Sequence, residues 1–449
     1  MALSLQAARE ALIAFQRFGL GAKPGGPAQI GGGAKAAVRA EVETANIAAI
    51  NDPTLPSYPK ACSESQKGHA EDLRQQELAA RVDKHIAAQI GFVERLVIFW
   101  ANHFSMSVNK DDAIRGTMGQ WERDVVRANV LGRFGRMLQG TIAHPAMIAY
   151  LDNQDSIGPN SPIGLEWGVG LNENLAREIL ELHTLGSDGG YTEADVTALA
   201  KIITGWSFVR SWEADGGYNG GTNQNRGRFI YRGNWHEPGP VTLMGKSYPA
   251  LGQQQAELVF QDLAVHPATA EHIAFKLVRH FITDEPTPAM VNPLKQKFLQ
   301  TKGNLKAVSL ALLDLPEAWS APLTKLRTPY EMTIAQYRAL GARYENDNIW
   351  AFSEPLNALH QMAWEAPTPE GHADETPKWL NPDAMRLRLD IAEFHNRVCV
   401  GYYQGNVVQL ADRLFNAALS KQTRDRLTGL EYPNDELVIL FTSPEFQRR

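Results

Sequence analysis

The chain has 449 residues, with a formal net charge of −6, 44% hydrophobic residues and 21% charged residues. This composition is that of an ordinary globular protein that can bury a large core. No basic block occurs, which argues against a nucleic acid as partner, because phosphate binding requires concentrated lysine and arginine. No apolar run reaches the roughly 18 residues that a membrane span requires, so we expect no membrane-spanning segment.

In chain order, the patterns predict a helix over 5–17, a loop over 51–66, helical regions over 66–108 and 118–152, and a loop over 153–171. The first helix is amphipathic and carries charges within its apolar pattern. It is therefore not expected to be a secretion signal. The second half of the 66–108 region is so apolar that we expect it to be buried.

Residues 172–206 predict two helices joined by a glycine-rich turn. Leu175, Ile179 and Leu182 recur at helical spacing and are expected to face a core. The second helix is predicted to begin at Thr192, with an acidic residue three positions later, as in a capping box.

Residues 207–248 interrupt the helical pattern with glycine, asparagine and aromatic residues, and short alternating runs there predict a small β-hairpin or flap. Further helices are predicted over 252–265, 267–283, 304–313 and 329–340, before a Pro-rich loop over 364–384 and two or three final helices. We therefore predict a mainly α fold: a multi-helix globular bundle, a single domain over 1–449, with a β-rich flap inserted around 207–248.

The first predicted helix of 172–206 carries more acid than packing requires. Asn174, Glu178 and Glu181 share a face, and His183 follows shortly after. Carboxylates near an imidazole suit a metal ion or proton transfer. The alternative is a solvated face with ion pairs to Arg177 or to a lysine of the next helix.

Three further segments contain residues that a core does not explain. His103 ends an apolar helix, and either a site role or a packed histidine bonded to a carbonyl accounts for it. His236 and Glu237 lie in the flap, where they present ligating or proton-handling groups or simply form a turn. Arg279 and His280 end the 267–283 helix, where their charge fits the helix dipole.

Other signals are local or absent. His144 and His266 each precede a proline and are expected at helix entries. Two free thiols are expected at Cys62 and Cys399, with one disulfide as the alternative. The sequence has no HExxH, GxSxG, P-loop or dinucleotide-binding glycine motif.

Several ordered segments together resemble the bacterial family known as domain of unknown function 1800. They are RFGLGA, FWANHF, GLNENLAREILELHTLGSDGGYTEADVTALAKIITGW, WHEPGPVTLMGKSY, HPATAEHIAFKLVRHFITDEP, KLRTPYEMTIAQYRALG and SPEFQ. The resemblance covers nearly the whole chain and implies one mainly helical unit. The family's pattern includes residues that this chain keeps: His103, Asn172, Asn174, Glu178, Glu181 and His236.

The resemblance also implies a partner and leaves two locations open. Members are often encoded beside an alkaline-phosphatase-like protein of the family known as domain of unknown function 1501, which implies that protein as a partner. Many relatives carry export signals that this chain lacks, so it is expected in the cytoplasm or exported with a signalled partner.

The leading functional hypothesis is a metal-assisted enzyme, hydrolytic or oxidative, with its site between the helical body and the flap. The predicted catalytic residues are Glu178, Glu181, His236 and Glu237. The predicted ligands of a divalent metal ion are His103, Glu178, Glu181 and His236. Asn174, Arg177 and Trp235 are predicted to orient the substrate, with the flap closing over it.

Two alternatives remain open. One is a non-enzymatic escort or subunit of the alkaline-phosphatase-like partner, with Trp212, Tyr218, Trp364 and Trp379 as interface anchors. The other is carbohydrate or peptide binding without catalysis, through the same loop aromatics.

Overall fold

The structure is a computed structural model that describes residues 3–342, 349–398, 405–429 and 435–449. Helices account for most of these residues, and the described strands form two small antiparallel sheets. The prediction of a mainly α fold with a small β insertion is confirmed.

The first third of the chain is helical. Its α-helices are α1 (Leu5–Ile13), α2 (Gly26–Ile30), α3 (Ala34–Glu43), α4 (Tyr58–Glu64), α5 (Ala70–Ala87), α6 (Phe92–His103), α7 (Asp112–Trp121), α8 (Phe134–Ile142), α9 (Pro145–Tyr150) and α10 (Pro162–Trp167). Wider π-helical turns follow or precede three of them, at Ala14–Phe18, Ser65–His69 and Glu122–Arg127, and a 3-10 turn lies at Asn153–Asp155.

The middle of the chain contains the strands. The helices there are α11 (Asn174–Glu178), continued by a π-helical turn at Ile179–Thr184, then α12 (Glu193–Ile202) and α13 (Ser211–Gly216), with a 3-10 turn at Tyr218–Gly220. Strand β1 (Trp206–Phe208) pairs antiparallel with β2 (Phe229–Tyr231), and β3 (Val241–Leu243) pairs with β4 (Lys246–Tyr248). The predicted flap therefore contains these strands and one short helix.

The remaining described residues are again helical. They form α14 (Gln253–Leu263), α15 (Pro267–Phe281), α16 (Pro288–Gln300), α17 (Leu305–Asp314), α18 (Glu317–Ser320), α19 (Pro329–Leu340), α20 (Ile349–Ala358), α21 (Thr376–Trp379), α22 (Pro382–Val398), α23 (Val407–Phe415), α24 (Lys421–Thr428), α25 (Glu436–Thr442) and α26 (Pro444–Gln447), with a 3-10 turn at Asn416–Ala418.

Three segments predicted as loops contain helices, and those predictions were wrong in part. Helix α4 lies within 51–66, α10 within 153–171, and α21 together with the start of α22 within 364–384. In each case proline occupies the first or second helical position. Proline has no N–H to leave unbonded there and its φ already suits a helix, so prolines in these segments begin helices.

The predicted helical region over 66–108 is divided between α5 and α6. Gly91 separates them with a φ of 98°, which a side-chain-bearing residue rarely adopts. The carboxylate of Glu41, from distant α3, accepts hydrogen bonds from the backbone N–H groups of Ile90, Gly91 and Phe92 at 2.8–3.2 Å. A side chain from another helix thus satisfies donors that the start of α6 leaves unbonded.

Local end signals behave as the sequence predicts. Thr192 and Asp195 form the predicted capping box of α12. His144 and His266 each accept a hydrogen bond at 3.2 Å from a backbone N–H at the start of α9 and α15. These contacts need only neighbouring residues, which is why sequence alone predicts them.

The core packs α6 beside α15. One cluster of buried apolar side chains extends along the chain from Ala14 to Phe446. Within it, the rings of Phe99 and His280 lie 5.4 Å apart and those of His103 and His272 lie 6.1 Å apart. The two contacts run in opposite directions along the chain, about one turn apart on α6 and about two turns apart on α15. The extent of the domain stays a prediction.

Candidate functional site

A cavity of about 950 Å³ opens beside the α6–α15 pair. Its described walls come from the end of α6, from α15, from the start of α19 and from 358–387. We call this cavity the cleft. No described residue of 207–248 lines it, so the predicted flap does not cover this cleft in the structure. The segment over it is mostly the predicted Pro-rich loop.

Helix α15 presents a row of basic side chains along one side. His272, Lys276, Arg279 and His280 follow one another at spacings of three and four, which places them on adjacent turns. The last three line the cleft. Ile273 and its apolar neighbours at the same spacing face the core instead. The amphipathic pattern of α15 therefore directs the row toward the cleft.

Lys276 brings an amine to the middle of this row. Among the described residues, no hydrogen bond or ion pair joins its Nζ to another side chain. Burial lowers the pKa of Lys276 from 10.5 to about 8, although the charges of Asp374 and Glu370 favour the protonated form. A larger fraction of the Lys276 amine is therefore unprotonated near neutral pH than is the case for a fully solvated lysine.

His280 and Asp374 form a fixed pair at the edge of the cleft. Nδ1 of His280 lies 3.0 Å from one oxygen of Asp374, and its Nε2 lies 3.1 Å from a guanidinium nitrogen of Arg95. Burial lowers the pKa of His280 to about 4, so the ring is neutral, donates from Nδ1 and accepts at Nε2. Arg449 also donates to Asp374, at 2.9 Å.

The charge of Asp374 is stabilised by these partners. Burial alone would raise the pKa of its carboxyl, but His280 and Arg449 hold that pKa well below 3.8. The neighbouring carboxyl of Glu331 has a pKa of about 2, because Arg449 and Arg95 outweigh the effect of burial. This wall is therefore a rigid charged frame that does not exchange protons near neutral pH.

His103 lies on the α6 side of the cleft. Its Nε2 donates to the backbone oxygen of His183 at 3.2 Å, which leaves Nδ1 as a hydrogen-bond acceptor. Nδ1 has no partner among the described residues. The pKa of His103 is well below 6.5 because the ring is buried and Lys276 lies nearby. The ring is thus a neutral acceptor in the wall.

The opposite wall is a tightly held loop. Asn102 accepts a hydrogen bond from the backbone N–H of His372 at 2.8 Å and donates to its carbonyl at 2.9 Å. Trp364 and Trp379 contribute aromatic surface to the cleft. Trp379 also donates to the carbonyl of Ala373 at 2.9 Å, which fixes its ring. Segment 362–379 therefore contributes both aromatic surface and the carboxylates of Glu370, Asp374 and Glu375 to the cleft.

The acidic residues predicted as catalytic lie elsewhere. Burial, and then the charge of Glu181, raises the pKa of Glu178. Glu178 in turn helps to raise the pKa of Tyr150, and a hydrogen bond from Tyr191 reaches Glu181. Glu178 and Glu181 do not line the cleft described above. They form a separate, partly buried acidic pair.

The expected neighbour of that pair, His183, turns the other way. The π-helical turn at Ile179–Thr184 has more residues per turn than an α-helix, so it changes which side chains share a face. His183 and Leu180 are fully buried, whereas Leu182 is only partly buried. The prediction that Leu182 faces the core was therefore wrong, because the π-helical turn places His183 on the buried side instead.

The predicted orienting residues have local partners. Both guanidinium nitrogens of Arg177 donate to the carboxylate of Glu193, at 2.8 and 2.7 Å. Asn174 is exposed at the start of α11. Trp235 is 6% exposed, and the guanidinium of Arg232 lies 4.7 Å from its ring centroid.

His236 and Glu237 secure the flap to the helical body. The Nδ1 of His236 lies 3.1 Å from the carbonyl of Thr204, and the carboxylate of Glu237 accepts from the backbone and side-chain amides of Asn160 at 2.9 and 2.6 Å. A catalytic role for either residue stays a prediction.

The predicted ligands do not meet in one place. Across 3–342, 349–398, 405–429 and 435–449, no group of three or more His, Cys, Asp or Glu side chains is placed to hold a metal ion. Of the predicted site residues, only His103 lines the cleft. The structure therefore gives the proposed set His103, Glu178, Glu181 and His236 no common centre among the described residues.

Of the two cysteines, the one that the structure describes lies away from the cleft. Cys62 is a buried free thiol, and burial raises its pKa to about 11. Cys399, the other predicted free thiol, lies outside the described residues. Cys62 lines a separate, mainly apolar cavity of about 230 Å³ with Tyr58 and Trp212.

Sequence reasoning missed Lys276. The signal was present in PATAEHIAFKLVRHF, where a lysine stands one turn from a histidine on each side within an amphipathic helix. For Arg279 and His280 the sequence favours an interaction with the helix dipole over a role in a site. The groups that shift the pKa of Lys276 come from distant segments. The sequence pattern therefore places Lys276 beside the histidines but does not predict its burial.

Comparison with known proteins returns one family. The sequence profile described as "Protein of unknown function (DUF1800)" matches residues 13–448, which confirms the resemblance noted above. No curated protein and no solved structure matches the chain. Among the helices that the structure describes, none combines the length and the apolar character needed to span a bilayer.

Proposed function

The chain belongs to the DUF1800 family of proteins of unknown function, and we propose that it is an enzyme that binds a small polar molecule in the cleft and uses Lys276 in proton transfer or amine chemistry. The observation that carries this proposal is the position of the Lys276 amine. Lys276 faces a cavity of about 950 Å³ and pairs with no described residue. A structural lysine would be expected to pair with an acid or to extend into solvent.

The size and surface of the cleft support binding of a metabolite. Ligand sites are commonly concave spaces of about 300–1,000 Å³ with apolar walls and a few polar groups. Here Trp364, Trp379 and Tyr330 supply aromatic wall, and Lys276 and Arg279 supply polar groups. Lys276 is half-buried in the cleft, and its partial removal from water strengthens the polar contacts that a ligand makes there.

The residues of the cleft have two roles: some contact or react with the ligand, and others fix the positions of the helices and the loop. The unprotonated amine of Lys276 is able to accept a proton from a ligand or to attack it. The Nδ1 of His103 is unpaired among the described residues but fully buried, so its ring shapes the wall of the cleft and does not contact the ligand. His280 and Asp374 keep one protonation state and act as positioning residues for α15 and the loop.

Blocking the cleft tests binding. We expect metabolites found by a thermal-shift screen to stabilise the wild type and not the variant Thr368→Trp, which fills the exposed mouth of the cleft. Thr287→Trp is the matched control, because Thr287 is exposed outside the cleft lining. Ligands that stabilise all three proteins equally would show that the cleft is not the binding site.

Replacing the amine tests chemistry. With a bound metabolite in hand, Lys276→Met should abolish its turnover, while Lys378→Met should retain it, because Lys378 lies exposed at the rim of the same cleft. Equal turnover in both variants would end the proposal. The metal-assisted reaction predicted from the sequence stays a separate prediction, which elemental analysis of the purified protein tests.

Exposed aromatic residues favour a second candidate, the escort of an alkaline-phosphatase-like partner. Trp212 and Tyr218 are 53% and 61% exposed, with their ring centroids 6.3 Å apart. Large exposed aromatics are typical interface anchors. Trp212→Ser should reduce co-purification with that partner, while Trp350→Ser, at a site 54% exposed, should not. Of the other predicted anchors, Trp364 is 7% exposed and serves the cleft instead.

A further inference from the structure

We propose that Lys276 condenses with the carbonyl carbon of a small aldehyde or ketone to form an imine in the cleft. This inference rests on the proposed function and names its substrate class. The geometry supports it in two respects: where the amine lies and what keeps it reactive.

Lys276 lies on α15 between two ring contacts that join this helix to α6. On α15, Lys276 is one turn from His272 and one turn from His280. The ring contacts of these histidines with His103 and Phe99 hold α15 against α6 on both sides of Lys276. The backbone that carries the amine is therefore rigid, as a covalent site requires.

The surroundings keep the amine nucleophilic. An amine attacks a carbonyl only when unprotonated, and lysines in apolar pockets beside other cationic groups meet that condition. Burial in the cleft has the largest effect on the amine and outweighs the carboxylates of Asp374, Glu370 and Glu375, and Arg279 is the neighbouring cation on α15. The carboxylate of Asp374 is occupied by His280 and Arg449, so it does not form an ion pair with Lys276.

The step balances with the groups at hand. The lone pair of Nζ forms the new C–N bond as the carbonyl π electrons move to oxygen. The two hydrogens of the amine then leave with that oxygen as one water, and the C=N bond remains. The reaction needs no oxidant or reductant, because both protons pass from the nitrogen to the departing oxygen.

Reductive trapping on the full chain tests the imine. The protein is incubated at neutral pH with glyoxylate or propionaldehyde and cyanoborohydride, and adducts are located by peptide mass spectrometry. Lys276 should be modified at least about tenfold faster than the exposed Lys378, since burial lowers the pKa of Lys276 to about 8 and leaves part of its amine unprotonated at neutral pH. Thr368→Trp should slow modification of Lys276 and leave that of Lys421, whose side chain is 87% exposed, unchanged.

The controls separate this inference from the proposed function. Lys276→Arg should lose the adduct while keeping the positive charge, and the comparison of lysines within the wild type stands even if that variant unfolds. Equal rates at Lys276 and Lys378 with both carbonyl probes would overturn the imine. If metabolites still bind the cleft in the thermal-shift test, only the imine is lost. If they do not, the proposed function fails as well.

Discussion

At Lys276, burial and charge act in opposite directions on one amine. Burial favours the neutral form, and the carboxylates of Asp374 and Glu370 favour the ammonium, with burial the larger effect. Asp374 stabilises the ammonium form of Lys276 less than its charge suggests, because its carboxylate already pairs with His280 and Arg449. A residue-scale balance of this kind is characteristic of functional sites, although structural networks produce it too.

Lys276→Met should stabilise the protein at neutral pH by roughly 1–3 kcal/mol, because it removes an amine whose charge is disfavoured by burial. The folded pKa of about 8 is below the unfolded value of 10.5, so the folded state binds fewer protons between these values. The gain over the wild type should therefore be full below about pH 8 and diminish as the pH rises toward 10.5. Urea unfolding at pH 7 and 10 measures it, and a gain that does not change with pH would contradict the lowered pKa.

Asp374→Asn should destabilise the protein by about 2 kcal/mol, because it removes the charged acceptor that His280 and Arg449 share and leaves Glu331 as the remaining carboxylate partner of Arg449. Asp383→Asn is the control, since Asp383 is an exposed carboxylate that lines the same cleft. Chemical denaturation of both variants compares them. A similar small loss in both would show that the frame around Asp374 contributes little.

At the scale of elements, the cleft depends on a loop held against a helix. Gly371 has a φ of 92°, and a Cβ built on it would lie 2.6 Å from the backbone oxygen of Asn102. The same asparagine makes both hydrogen bonds to His372. A side chain at 371 would therefore push the loop off α6 and open the wall that covers Lys276.

Gly371→Ala should cost more stability than Gly190→Ala and should weaken metabolite binding to the cleft. Both positions have positive φ, 92° and 82°, so both substitutions incur a backbone strain of about 1–2 kcal/mol. Only Gly371 also meets a neighbour, because a Cβ at Gly190 would have nothing within 4 Å. Denaturation midpoints and thermal-shift titrations measure the two effects, and equal losses in both variants would argue against a tight loop.

At the scale of the whole molecule, buried ionisable groups join distant parts of the chain. One network joins α5, α6 and the segment after α7 through Arg81, His85, Glu94, Glu122 and Arg127. A second joins α6, α15, α19 and the end of the chain through Arg95, His280, Glu331, Asp374 and Arg449. Removing one member of such a network leaves a buried charge uncompensated, so these contacts fix the relative positions of the helices.

Stability should fall in two stages as the pH is lowered. Burial lowers the pKa of His85 and His395 to about 4, so the folded state binds fewer protons than the unfolded state between pH 6.5 and 4 and loses stability there. Glu94 and Glu331 have pKa values of about 2, because ion pairs outweigh burial, and their contribution disappears as the pH falls from 4.5 toward 2.

His395→Gln should reduce the loss of unfolding free energy between pH 7 and 4 by about 2 kcal/mol. His69→Gln is the control and should leave that loss unchanged, because the His69 side chain is 54% exposed. Urea midpoints at several pH values measure the slopes. A wild-type stability that is constant from pH 7 to 4.5 would contradict the buried, neutral histidines.

The sequence by itself determined the features that depend on neighbours a few residues apart. It predicted a mainly helical chain, the capping box at Thr192 and the helix-entry roles of His144 and His266, because periodicity and capping are local. It misassigned prolines at helix starts as loops, and it placed Leu182 on a core face because an extra residue in a π-helical turn leaves no clear mark in the sequence.

Only the tertiary structure decided which polar groups share a site. Lys276, His103 and Asp374 come from three distant segments, and the amine is unusual only because α6, α15 and the loop around Gly371 enclose it. His236 and Glu237, which looked reactive in the sequence, are bonded to Thr204 and Asn160. Burial and pairing depend on the whole packed chain, so they set the chemistry of a side chain where residue type and spacing do not.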